Sequence, residues 1–158
     1  MTKVVETDVV IVGAGPTGLF QVFELGLLGI KVHIIDSLKQ VGGQCAELYP
    51  DKPIYDIPAI PVCSAQELID RLLEQIKPFE PEFHLSQEVN GLEQQDDGRF
   101  HLTTSKGEEF LTRTVIIAGG LGAFQPRPLR VKGADLFNGK EIQYKVKDPE
   151  YYRDKTVA

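Results

Sequence analysis

The sequence predicts an α/β fold, a parallel sheet with an inserted antiparallel β meander, and three observations lead there. Residues 7–12 (TDVVIV) form a β-branched run that stops at glycine, continues into an amphipathic pattern and returns to a second apolar run at 31–35 (KVHII). Between 85 and 112 the apolar period changes to two, and residues 114–118 (TVIIA) form a third apolar run that again ends in glycine. Short continuous apolar runs fit strands covered on both faces, whereas alternation fits half-buried antiparallel strands.

Each element has its own local reason. Residues 13–18 (GAGPTG) make a tight turn, after which Leu19, Val22, Phe23 and Leu27 recur at helical spacing, with Gly29 placed as the stop. Strand, turn, helix and strand together take about 30 residues, the size of one βαβ unit. A second helix opens at Ser64-Ala65-Gln66-Glu67, the spacing of a capping box, in which two side chains reciprocally satisfy free backbone N–H groups. Leu68, Ile69, Leu72, Leu73 and Ile76 follow on one face, and Pro78 ends the helix because it has no N–H to donate. Asp96-Asp97-Gly98 and Lys106-Gly107 read as turns between meander strands. Gly42-Gly43-Gln44 reads as the opening of a long loop.

Composition narrows the function classes. The 158 residues are enough for one ordinary domain, and 17 basic against 23 acidic side chains give a net charge of −6. With 42% hydrophobic and 25% charged residues the chain is close to an average soluble protein, which argues against disorder, collagen, coiled coil and wholesale nucleic-acid binding. The most apolar segment, 23–35, is interrupted by Glu24 and Lys31, so no stretch approaches the roughly 20 residues of a membrane span. Met1-Thr2-Lys3 runs almost directly into a strand pattern, so no signal peptide is expected. Two cysteines make no disulfide framework, and the expected compartment is a reducing cytoplasm. Charge is uneven along the chain: residues 1–124 hold 9 basic and 18 acidic side chains, residues 125–158 hold 8 and 5. That terminal stretch, with Pro126, Pro128 and Pro149, reads as a connection rather than a core element.

The glycines carry the chemistry. A GxGxxG between a strand and a helix, with an acid closing the next strand, fits a Rossmann-like dinucleotide site. Gly13 permits the turn, Gly15 lets a pyrophosphate approach the backbone, and Gly18 lets the helix pack closely on the strand. Free N–H groups at the helix start then face the diphosphate. Asp36, 18 positions after Gly18, is placed to accept from a ribose and to repel a 2′-phosphate, leaving NAD or the ADP half of FAD. Gly42-Gly43 could pass close to a flat ring system on which Tyr49 stacks, or be a plain turn beside a half-buried aromatic. Gly42-Gly43-Gln44-Cys45 matches the first half of a redox-disulfide motif, but the second cysteine would fall at Pro50 and Cys63 lies 18 positions away. Cys45 is therefore expected to be a buried thiol. His33, His84 and His101 show no metal-ligand spacing, and no metal is expected.

GAGPTGLF, VHIID, GGQCAELYPDKPIYDIP and TVIIAGGLGAFQPRP together resemble the thioredoxin-reductase-like ferredoxin–NADP+ reductases over nearly the whole chain. The resemblance implies a two-dinucleotide-domain flavoprotein, a homodimer in which FAD links NADPH to ferredoxin. It places FAD contacts at Gly13, Gly15, Pro16, Thr17 and Gly18 for the diphosphate and at Asp36 for the ribose. Gln44 and Tyr49 fall along the flavin side, the Val89 backbone at the adenine, and Phe124 at the border of the cofactor. Residues 1–124 correspond to the N-terminal part of the FAD-binding domain, here incomplete, and 125–158 to a connection toward a missing NADPH-binding domain. The isolated chain is accordingly expected to be inactive with NADPH. The positive terminal segment, with Lys145 and Lys147, reads first as solvated linker, with docking of an acidic ferredoxin as the alternative. The alternatives are a thioredoxin reductase-like disulfide reductase and a non-catalytic FAD-binding module.

Overall fold

In the computed structural model, which describes residues 4–123, 127–144, 146 and 149–157, the apolar runs assemble as a mixed sheet. The strands are β1 (Val5–Val12), β2 (Val32–Asp36), β5 (Glu82–Leu85), β6 (Val89–Gln94), β7 (Phe100–Thr104) and β8 (Glu109–Ile117), in the order β5-β2-β1-β8-β7-β6. β5, β2, β1 and β8 run parallel, and β8, β7 and β6 form the antiparallel meander. Helix α1 (Pro16–Leu27) links β1 to β2, and α3 (Ala65–Ile76) precedes β5. Between them lie a short helix α2 (Gly43–Leu48) and a two-stranded ribbon of β3 (Pro53–Ile54) and β4 (Cys63–Ser64). No helix among the described residues is long and apolar enough to cross a membrane.

The period of two in β1 and β2 sends side chains to two different cores. Val9, Ile11, Val32 and Ile34 join Leu19 and Val22 of α1 and Leu68, Ile69, Leu72 and Ile76 of α3. On the opposite face Val10 and Ile35 meet Leu102 and Phe110. Phe110 is fully buried and reaches across β1 to the rings of His33 on β2 and His84 on β5, so the meander curls over the sheet face that the helices leave open. A buried phenyl of this kind contributes about 3–5 kcal/mol when compared with alanine.

Two sequence expectations change. The segment after Gly42 is not a long loop but the helix α2. Its six residues are too few to hold a helix unaided, and α2 is fixed by docking, with the Gly42 N–H donating to Ala14 O at 2.8 Å. The third apolar run is not a separate buried strand. β8 is continuous over nine residues, pairing along one edge with β7 and along the other with β1, and Ile117 at its end is 74% exposed. Nothing among the described residues covers that side chain.

The chain divides into two compact units, 1–123 and 124–158. In the second, single-turn helices at Ala134–Phe137 and Pro149–Tyr152 accompany a bond from the Leu129 N–H to the Tyr144 hydroxyl and an Arg153–Glu150 ion pair. Ala134 is its buried apolar residue among those described.

The capping box of α3 forms as expected: Ser64 Oγ accepts from the Glu67 N–H at 3.1 Å, and Glu67 Oε2 accepts from the Ser64 N–H at 2.6 Å. Ser64→Ala is expected to cost about 1 kcal/mol. It should appear as a lowered denaturant midpoint at unchanged m-value, and an unmoved midpoint would show that α3 is held by packing alone.

Candidate functional site

The glycine turn lies at the carboxyl end of β1, where the chain leaves toward β2 on one side and has β8 on the other. Such a switch point is where open α/β sheets leave a crevice. The turn is held by backbone. The Gly13 N–H donates to Ile35 O and the Ala118 N–H to Val12 O, each at 2.8 Å. Gly13 adopts φ +110°, and a Cβ there would stand 2.3 Å from Ala118 O. At Gly18 a Cβ would stand 1.9 Å from Gly13 O, so α1 rests directly on the turn.

Gly15 differs from both. It is extended (φ −75°), and a Cβ would meet only the Gly43 Cα, at an ordinary 3.8 Å. Neither conformation nor protein packing demands glycine here. Gly15 caps α1, Pro16 takes the first helical position, no side chain caps the helix, and its first turn contains no acid. The helix therefore presents its start, with its partial positive charge, beside Gly15 and an exposed Thr17.

Two further segments converge on this turn. Gly42 and Gly43 bring α2 backbone to backbone against it, and Gln44 Nε2 lies 3.5 Å from where a Cβ of Gly120 would be. Gln44 and the glycine cluster after β8 thus meet across 76 positions of sequence. Asp36 closes the other side with both carboxylate oxygens in use: Oδ2 accepts from the Ala14 N–H at 2.6 Å and Oδ1 from the Leu38 N–H at 2.8 Å. Each oxygen keeps a second lone pair for a hydroxyl donor. Sequence reasoning gave Asp36 a ligand role alone. The structure adds a second, tying the glycine turn to the end of β2.

Sequence reasoning also missed Gln87. Its N–H donates to Asp36 O at 3.0 Å, while its side chain is 3% exposed and Oε1 has no hydrogen-bond partner among the described residues. No motif marks it; only the docking of residues 86–87 on Asp36 and Leu38 does. That docking brings Val89, paired with Thr104 at the start of β6, toward the Asp36 loop. Tyr49 is half-buried at the end of α2, packs on the helix-side core and carries Lys52 Nζ 5.1 Å from its ring centre. Phe124, Lys145 and Lys147 lie outside the described residues. Cys45 and Cys63 are buried free thiols, and burial, reinforced by Cys63, raises the pKa of Cys45.

Comparison with known proteins adds independent findings. The family model described as pyridine nucleotide-disulphide oxidoreductase matches residues 7–156. A protein named ferredoxin--NADP reductase 2 from Cupriavidus taiwanensis is 63% identical over 153 residues, covering 97% of this chain and 42% of the relative. Ferredoxin--NADP reductase of Polaromonas naphthalenivorans is 64% identical, with the same coverage. The chain thus spans about two fifths of the length of these curated relatives. Among solved structures, Lactococcus lactis thioredoxin reductase superposes with a TM-score of 0.64 at 24% identity, over 83% of this chain and 40% of that one. A cyclohexanone monooxygenase superposes at 0.61 and 22%, over 73% and 26%. At these identities the two structures share the fold.

The contrast between the glycines is testable without any ligand. Gly18→Ala is expected to lose about 1–3 kcal/mol or more, because α1 must lift from the turn. Gly15→Ala should change stability by no more than about 0.5 kcal/mol. Denaturant melts of the two variants check this, and the opposite order would displace α1 from the position described.

Proposed function

This chain belongs to the pyridine nucleotide-disulphide oxidoreductase family, and we propose that it forms the FAD-holding part of a ferredoxin–NADP+ reductase. Identity above 60% to reductases of that name, over nearly all of this chain, supports the reading. The observation that carries it is Gly15: a glycine that the protein's own packing does not require, beside an uncapped helix start. A missing Cβ facing free N–H groups fits a diphosphate brought close to the backbone.

FAD, when bound, supplies the coupling of two-electron nicotinamide chemistry to single-electron transfer. The chain's own residues would bind and orient it. The diphosphate would lie against Gly13, Gly15, Pro16, Thr17 and Gly18, where N–H groups and helix dipole oppose its charge. Asp36 would accept from the ribose through its spare lone pairs while holding Ala14 in place. Val89 would meet the adenine through its backbone, and Gln87 Oε1 is a buried acceptor available near that end. Gln44 and Tyr49 would lie along the flavin side, Gln44 already beside the Gly120 backbone. Residues 1–124 would be the N-terminal part of the FAD domain and 125–158 the connection toward an NADPH domain formed by residues beyond this chain. For the intact enzyme the reading includes NADPH and ferredoxin as partners, a homodimer and a cytoplasmic setting.

The test is FAD affinity in the Gly15→Ala variant. In the intact protein, wild type is expected to take up one FAD per chain, read by flavin absorbance and fluorescence quenching. The variant should keep its circular dichroism spectrum yet bind FAD at least tenfold more weakly. Wild-type affinity in that variant would remove the diphosphate from this turn. For the activity, NADPH-dependent reduction of ferredoxin is measured on the intact protein, and its absence in flavin-loaded enzyme would end the reductase reading.

A further inference from the structure

His33 and His84 stand 51 positions apart in sequence, yet the parallel pairing of β2 with β5 sets them on neighbouring strands, on the sheet face under the meander. Their nearest ring atoms, His33 Nδ1 and His84 Nε2, are 3.0 Å apart. A carboxylate oxygen of Glu82 lies 3.7 Å from the same His33 nitrogen, and one ligand atom from each of the three residues lies within 4.8 Å of the others. Behind His84, Glu108 Oε2 is 2.7 Å from Nδ1. Glu108 is itself fixed, its N–H donating to Thr104 Oγ1 and its carbonyl accepting from the Thr104 N–H. Phe110 packs edge-on against both imidazoles and closes the apolar side.

This arrangement has the chemistry of a cation site. An ionised carboxylate only accepts, so Glu108 fixes the proton of neutral His84 on Nδ1 and leaves the Nε2 lone pair facing His33 and Glu82. A carboxylate behind a histidine is the recurring support of histidine–zinc bonds. Zinc bonds of about 2.0–2.1 Å in tetrahedral geometry place two nitrogens about 3.3 Å apart, so the pair need open by only a few tenths of an ångström. We propose that His33 Nδ1, His84 Nε2 and the Glu82 carboxylate bind one divalent first-row transition ion, zinc by preference, with Glu108 positioning His84. Without the ion, His33 Nδ1–H donates to His84 Nε2. With it, the His33 proton moves to Nε2, Nδ1 becomes the ligand, and no net proton is released. Burial lowers the pKa of His33, with Glu82 opposing the effect and His84 adding to it. The Glu82 side chain is 70% exposed, which gives solvent access and leaves a fourth position for water.

The site is separate from the glycine turn and does not rest on the cofactor reading. Bound there, the ion would cross-link the edge strand β5 to β2. The test uses zinc alone, added to chelator-treated protein and followed by calorimetry, with cobalt as the spectroscopic probe. One ion per chain is expected, with a four-coordinate cobalt spectrum lacking a thiolate charge-transfer band and a melting temperature that rises with zinc. Glu82→Gln and His84→Ala should each weaken binding tenfold or more, and Glu108→Gln about 10- to 100-fold. His101→Ala, which alters a separate pair with Glu109, should leave binding unchanged. Because Glu82 is exposed, Glu82→Gln keeps the fold and decides the matter if His84→Ala does not. No binding, binding unaffected by Glu82→Gln, or a thiolate band from Cys45 or Cys63 would each overturn the proposal.

Discussion

At Gly18 the first helix has no room for one more carbon. Its backbone rests on the carbonyl of Gly13, and that carbonyl belongs to a residue already in a left-handed conformation against the end of β8. The architecture around the candidate site follows from this contact. It aims the helix start along the carboxyl edge of the sheet, and it leaves both polar groups of the buried Ala14 to be satisfied from outside the turn. The Ala14 N–H then serves Asp36 and its carbonyl serves Gly42, so a single residue gathers β2 and α2 around the turn. Three hydrogen-bonded backbones and one carboxylate do the work that a larger loop would do with side chains. The resulting surface is lined by backbone rather than side chain, which is what close approach by an anion requires.

What the sequence revealed and what it hid divide along a physical line. Features decided within a few residues were legible: the Ser64–Glu67 box, the apolar stripe of α3, the meander turns and the glycine turn itself. Features decided by docking were not. α2 begins with two glycines in left-handed conformations and is a helix because Gly42 is bonded to Ala14 and packed on Ala46 and Ile69. Local propensity argues against it, and tertiary contact wins. The continuity of β8 was hidden for a related reason. Its first half alternates like a meander strand and its second half reads as a buried parallel strand, yet one backbone makes both ladders.

Asp36 shows how the same logic applies to the site. Strand position and distance from Gly18 fix the residue type, and both are visible in sequence. That its two oxygens already hold Ala14 and Leu38 is not, because those bonds exist only once the turn is packed. A carboxylate held by two backbone donors is oriented before any ligand arrives, so little rotational freedom remains to be lost on binding. On the proposed reading, replacing it would loosen the turn and the ligand contact together, whereas changes at Gly15 would touch the ligand approach alone. The asymmetry between Gly13 and Gly18 on one side and Gly15 on the other divides a single six-residue motif into positions that packing requires to be glycine and one that it does not.

β2 carries this division of labour furthest. Its alternation sends Val32 and Ile34 to the helix-side core and His33 and Ile35 to the face under the meander. Its last residue, Asp36, still paired with Leu85, turns its carboxylate to the glycine turn, about 10 Å along the strand from His33. β5 pairs with this strand from His33 to Asp36, so the histidines and the Asp36–Gln87 contact sit on one two-strand ladder. Gln87, whose buried oxygen has no partner among the described residues, follows His84 by three residues. Whatever fixes the β2–β5 ladder at the histidines therefore also fixes the backbone that presents Gln87 and, beyond it, Val89. An edge strand of four residues has little pairing of its own to hold it. The contacts from the β7–β8 turn, Glu108 to His84 and Lys106 to Leu85 O, are what pin it from the outer side.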